Sequence, residues 1–235
     1  MKKLVSGFFC VSASAVFAAV TNVVATVDVI EVDSGLKNTI VAIPGLDLAD
    51  GGKLAISNLV KTTGLANGDK LYAFSNEEYE TWELQSGHWQ KAAKRYTISS
   101  TGAVEVATTD ASIMRMDVGS GIWLSRSTYT KGNPFYIYAA HVASPVLTVA
   151  AKSTALVGNP SLSDKTPTIS GCAEGDVIQV PKSKAYATYT YDGVNWTYQK
   201  GFGEKGTGLP TILAGTGFWY ISSSNATGDV AITWP

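Results

Sequence analysis

One short phrase occurs twice in this chain. Gly119-Ser120-Gly121-Ile122-Trp123-Leu124-Ser125 returns as Gly215-Thr216-Gly217-Phe218-Trp219-Tyr220-Ile221. Each copy has two glycines spaced by one residue, then an apolar residue, a Trp and another apolar or aromatic residue. Other landmarks recur in the same order. Thr39 to Pro44 is answered by Thr154 to Pro160, and Phe135 to Ala139 by Val230 to Trp234. Gly68-Asp69, Tyr79 and Trp89 are answered by Gly175-Asp176, Tyr186 and Trp196, all at one constant offset. Such a chain has to fold as two like halves. Two repeats are too few for a solenoid, so the expectation is a pseudo-symmetric sandwich or two similar β subdomains packed together.

The recurring residues have physical duties. A glycine ahead of a strand permits φ > 0 or a close backbone approach. The Trp that follows brings a large apolar area to a core without other staples. Asp after Gly shapes a turn through its side chain. Structural duty is therefore the default for Trp89, Trp123, Trp196 and Trp219.

Between these landmarks the chain alternates strand and turn. Residues 23–32 are β-branched and partly alternating. Lys70 to Phe74 follows Asn67-Gly68-Asp69. Two hairpins turn at Ser86-Gly87 and Asp192-Gly193. Turns every eight to twelve residues mark an all-β chain. One short helix is expected near residues 57–63, where Ile56, Leu59 and Val60 share a face and Ser57 and Gly64 can cap. The organisation expected is a signal peptide over 1–18, an N-terminal strand within 19–35, a first β repeat over 36–140 and a second over 141–235. The antiparallel halves together form a β-sandwich-like fold.

The signal peptide rests on the basic start Met1-Lys2-Lys3, the uncharged stretch Leu4 to Phe17 and the small-residue site ending at Ala18. The apolar run is too short to span a bilayer as a helix, so no membrane span is expected in the mature chain. The formal charge of the chain is −1, and cleavage removes only lysines. A slightly acidic product argues against nucleic acid or an anionic membrane as partner. Cys10 would leave with the signal, so Cys172 would stand alone with no intrachain disulfide.

The run Ala155-Leu156-Val157-Gly158-Asn159-Pro160, then Gly175-Asp176-Val177, a Tyr-rich hairpin, and Ala214-Gly215-Thr216-Gly217-Phe218-Trp219-Tyr220 resembles a pattern in exported bacterial proteins. In duplicated form it is similar to secreted β-domain proteins of the Planctomycetes–Verrucomicrobia–Lentisphaerae group. The likeness covers most of residues 36–235. It implies export and a β fold, and carries no catalytic or binding residues. The first copy departs from it, with Ala42-Ile43-Pro44 in place of Gly-Asn-Pro.

Little in the chain announces catalysis. The two histidines, His88 and His141, have no zinc-ligand spacing. There is no Gly-x-Ser-x-Gly elbow and no phosphate-cradling loop before a helix. The expectation is no catalytic residues, no metal and no cofactor. Glu77, Glu78, Glu80 and Glu83 cluster at the first hairpin, which leaves a glycosidase as a distant third reading. The hairpins also carry many rings: Trp82 and Trp89 on the first, Tyr189, Trp196 and Tyr198 on the second. On a ribbon alternate residues face opposite ways. If the ring-bearing set faces water, these five residues would form a carbohydrate-binding surface. Residues 23–32 raise a further expectation, self-assembly by strand addition to a neighbour's sheet edge. The first reading is an exported protein, secreted or at the cell surface, with a structural, adhesive or matrix role and no enzyme activity. Its partner would be a glycan or another surface protein.

Overall fold

The computed structural model describes residues 27–32, 36–46, 51–55, 64–75, 78–91, 95–98, 102–105, 115–128, 134–183, 185–199 and 205–235. The signal segment 1–18, residues 19–26 and the helix expected near 57–63 lie outside them. Every regular element among the described residues is a strand. The first half carries β1 (Val27–Val32), β2 (Asn38–Ala42), β3 (Leu54–Ala55), β4 (Lys70–Ser75), β5 (Glu78–Gln85), β6 (His88–Lys91), β7 (Arg95–Ile98), β8 (Gly102–Glu105), β9 (Arg115–Met116), β10 (Gly121–Ser125) and β11 (Phe135–Ala140). The second carries β12 (Val146–Val149), β13 (Thr154–Gly158), β14 (Thr168–Ser170), β15 (Val177–Pro181), β16 (Tyr186–Tyr191), β17 (Trp196–Gln199), β18 (Lys205–Thr207), β19 (Gly217–Ile221) and β20 (Val230–Thr233).

The main sheet of the first half runs β2-β10-β4-β5-β6, and that of the second β13-β19-β15-β16-β17-β18. Strand for strand the order is the same, with β18 added at one edge. The register matches too. Trp123 stands opposite Ile40 and Tyr72, and Trp219 opposite Leu156 and Gln179. Leu84 faces Trp89 as Tyr191 faces Trp196. All pairings are antiparallel.

A smaller sheet covers one face of each main sheet. In the first half it is β1-β11, and in the second β12-β20-β14. Thus β1 holds the place in the first half that β12 holds in the second. The N-terminal strand, which the sequence sets apart from both repeats, has a counterpart in the second half. Val32 opposite Phe135 and Val149 opposite Val230 are buried equivalents.

Each sandwich has its own core. In the first, Leu71, Trp82, Trp89, Ile122 and Leu124 meet Val32, Phe135 and Ile137. In the second, Ile178, Trp196, Phe218 and Tyr220 meet Val149, Val230, Ile232 and Trp234. Large rings concentrate the burial that holds a disulfide-free sandwich together. Truncating a fully buried Trp costs about 3–5 kcal/mol.

The two glycines of the repeated phrase do different work. Gly119 and Gly215 sit at φ 82° and 70°, a left-handed backbone that disfavours any side chain. Gly121 and Gly217 are outside that region but have no room. A Cβ on Gly217 would lie 2.1 Å from the Val157 carbonyl oxygen and 2.8 Å from Ile40 Cγ2.

The contact with Ile40 lies where the halves join. Ala42 N donates to Gly215 O at 2.9 Å, and its counterpart Gly158 N donates to Gly119 O at 2.8 Å. Within each half, Ile43 N donates to Ser120 O and Asn159 N to Thr216 O. The pattern maps onto itself when the halves exchange, as at an isologous dimer interface. Ile40, Leu156 and Trp219 form a third, smaller core here, flanked by Phe74 and Trp123. The departure of the first copy is accommodated: Ala42 is buried against Gly158, and a Cβ on Gly158 would lie 2.5 Å from the Ala42 methyl. One of the two equivalent positions carries a methyl because the other does not.

Candidate functional site

The hairpin rings come first. Trp82 and Trp89 are each 1% exposed and Trp196 is 7% exposed. Tyr189 and Tyr198 are half-buried, with ring centroids 5.0 Å apart. Tyr198 lies across Gly206 of the edge strand, where an added Cβ would touch its ring at 2.4 Å. The ring-bearing set of each ribbon therefore turns to the core, and the polar set turns to water. Trp82, Trp89 and Trp196 are thus closed to a ligand, while Tyr189 and Tyr198 keep part of their surface. The reason is energetic: a sandwich with no staple buries its largest apolar groups first.

The acidic cluster of the first hairpin is dispersed. Glu80 pairs with Lys91 at 3.2 Å and Glu83 with Lys70 at 3.6 Å, on opposite faces of β5. Glu77 lies outside the described residues. Among the described residues no group of three His, Cys, Asp or Glu side chains is placed to hold a metal ion.

Two buried carboxylates are structural. Asp69 accepts from Ala66 N at 2.9 Å, from Ser127 N at 2.7 Å and from Ser127 Oγ at 2.8 Å. Asp176 repeats this with Ala173 N at 2.9 Å and Ser223 N at 2.7 Å, and adds the Tyr220 hydroxyl, which donates to its Oδ2. Each Asp ties the turn before β4 or β15 to the chain leaving β10 or β19. Burial, then the hydrogen bond to Asp176, pushes the Tyr220 phenol far above its ordinary range. Cys172 is a free thiol beside this group, and burial followed by the Asp176 charge raises its pKa. A thiol held protonated is a poor nucleophile.

One concavity gathers aromatic side chains at the surface, with Tyr186 exposed, Tyr72 and Trp123 half-buried and Trp219 buried at its floor. It is a cleft of about 370 Å³ lined by Tyr72, Thr81, Trp123, Tyr186 and Trp219. Tyr72 and Thr81 face each other across β4 and β5, and Trp123 faces Tyr72 from β10. Tyr186 and Trp219 come from the second half. The Trp123 and Tyr186 rings lie 6.5 Å apart at 42°. Phe74 meets Trp219 edge-on at 5.3 Å and fixes it from the side. Trp123 and Trp219 sit at the parity opposite to the core-facing Ile122, Leu124, Phe218 and Tyr220, so they point away from their own sandwiches. Structural duty is the default for both in the sequence, and both do pack in the small core between the halves. Their parity was the signal that set them apart.

The cleft is asymmetric although the fold is not. Where the first half presents Tyr72, the second presents Gln179. Comparison with family models, curated proteins and solved structures finds no match to this chain.

Proposed function

We propose that this protein is an exported structural or adhesive module of the cell surface or extracellular matrix, and not an enzyme. One observation carries the reading. The most distinctive motif of the chain, the doubled Gly-x-Gly-apolar-Trp phrase, is spent on joining the halves through Ala42 to Gly215 and Gly158 to Gly119. A rigid body of two clasped sandwiches suits a protein that holds and presents surfaces. The secretory pattern of residues 1–18 and the resemblance to exported duplicated β proteins support the location. No helix among the described residues is long and apolar enough to cross a membrane.

Fractionation of the producing cells, with mass spectrometry of the N-terminus, tests it. The expected result is a chain beginning near Ala19 in the medium or on the envelope, with no turnover of glycosides or esters. A chain retaining Met1 in the cytosol would overturn the reading.

A further inference from the structure

We infer that the aromatic cleft between the halves is a binding site for a neutral saccharide chain. It deepens the adhesive reading by naming what is gripped. The two can fail separately, since the chain can reside at the surface and bind no sugar.

Size and lining come first. At about 370 Å³ the cleft is within the range of small-ligand sites. Its lining is two Trp, two Tyr and one Thr, with no charged side chain among the described residues. An anion would find no counter-charge there. A sugar ring offers what the lining can use: an apolar C–H face for the indole rings, and hydroxyls for Thr81 and the tyrosines. Tyr186 is 44% exposed, so its ring is available without rearrangement.

Extent is the second argument, and it selects a chain over a single ring. Trp219 is opposite Gln179, and Gln179 is opposite Thr188. Opposed residues share a sheet face, so the face of the cleft runs on without a break across β15 and β16. Tyr186, Thr188 and Thr190 alternate along that face, spanning roughly 13 Å at strand rise. Thr188 and Thr190, with Thr197 and Gln199 of β17, line a second groove of about 530 Å³ that is edged by Tyr191 and Tyr198 and also holds Glu174, Asp192 and Lys205. Exposed hydroxyl and amide groups of Thr188, Thr190, Thr197 and Gln199 beyond the cleft match the hydroxyls of a polymer of sugar rings. A proline-rich peptide would gain little from the threonines.

The test uses the full mature chain and neutral hexaoses of glucose, xylose and mannose in several linkages, by array and then by tryptophan fluorescence titration. At least one is expected to bind and to shift the emission. Tyr186→Ala and Trp123→Ala are expected to weaken binding about tenfold or more, equivalent to about 1.4 kcal/mol. Val194→Ala, on the exposed hairpin tip, is expected to leave it unchanged. Circular dichroism melts establish that each variant is folded. Thr188→Val is expected to weaken binding of the hexaose more than that of the matching disaccharide. No binding by any neutral glycan to folded protein overturns the proposal. So does binding that the folded Tyr186→Ala and Trp123→Ala variants retain, or preference for a polyproline peptide or a sulfated glycan.

Discussion

Replacing Gly217 and Gly215 by alanine, one at a time, separates the two demands placed on the repeated phrase. At Gly215 the added methyl meets a backbone at φ 70°, and a left-handed residue with a side chain costs about 1–2 kcal/mol. At Gly217 the φ is ordinary, but the methyl would stand 2.1 Å from the Val157 carbonyl oxygen, 2.8 Å from Ile40 Cγ2 and 3.0 Å from Gly158 Cα. Two of those three atoms are backbone, so no rotamer change relieves the contact. The strands β13 and β19 must part. Overpacking of this kind costs about 1–3 kcal/mol, and each backbone hydrogen bond displaced adds about 1 kcal/mol. The expectation is about 3–5 kcal/mol for Gly217→Ala against about 1–2 kcal/mol for Gly215→Ala. For a chain of this size each kcal/mol lowers Tm by about 2–4 °C. Urea unfolding followed by circular dichroism and tryptophan emission measures both. If Gly217→Ala is no more costly than Gly215→Ala, the close packing of β19 on β13 and Ile40 is not what that glycine serves.

Other perturbations follow from the same structure. Asp176→Ala leaves Ala173 N, Ser223 N and the buried Tyr220 hydroxyl without an acceptor. It is expected to cost about 3–5 kcal/mol, and more than Asp69→Ala, because the exposed Ser127 can turn to water; urea melts of the two variants decide. Tyr220 has a raised pKa in the folded chain. Its contribution is therefore complete below the ordinary tyrosine pKa of about 10 and is lost as pH rises above it. Stability should fall above that pH in the native chain, and less steeply in Tyr220→Phe, as thermal melts across alkaline pH would reveal. Deleting residues 19–34 removes β1, which pairs along its whole length with β11 and supplies Val32 to the core. The expected result in size-exclusion chromatography and proteolysis is a loosened first half, and not merely a smaller assembly. A compact, protease-resistant product that has only lost an oligomer would favour strand exchange instead.

The duplication was legible because its markers are residues that few positions tolerate: glycines at special backbone sites, Asp in a buried turn, Trp in a core. Hairpins were legible from their turn chemistry. Ser86-Gly87 sits at φ 51° and 79°, as a two-residue hairpin turn of the primed type requires. The equivalence of β1 and β12 was hidden, since VDVIEV and VLTV share alternation and little else. Alternation divides a strand into two faces but does not say which is wet. In the hairpins it is the ring-bearing face that is dry, with Trp82, Trp89 and Trp196 inside. The cleft could not be read in line, because its side chains come from β4, β5, β10, β16 and β19 and meet only after the halves clasp.

The methyl of Ala42 resting on Gly158 has a meaning for the joining of the halves in one chain. Imagine each half as a free protomer able to pair with a second copy of itself. Two copies of the C-terminal half would bring glycine to glycine, and the joint could close. Two copies of the N-terminal half would bring one methyl onto another where there is space for one. A homodimer built on this joint would therefore have to keep glycine at this position. In a single chain each half can change alone, and an alanine is admissible on one side.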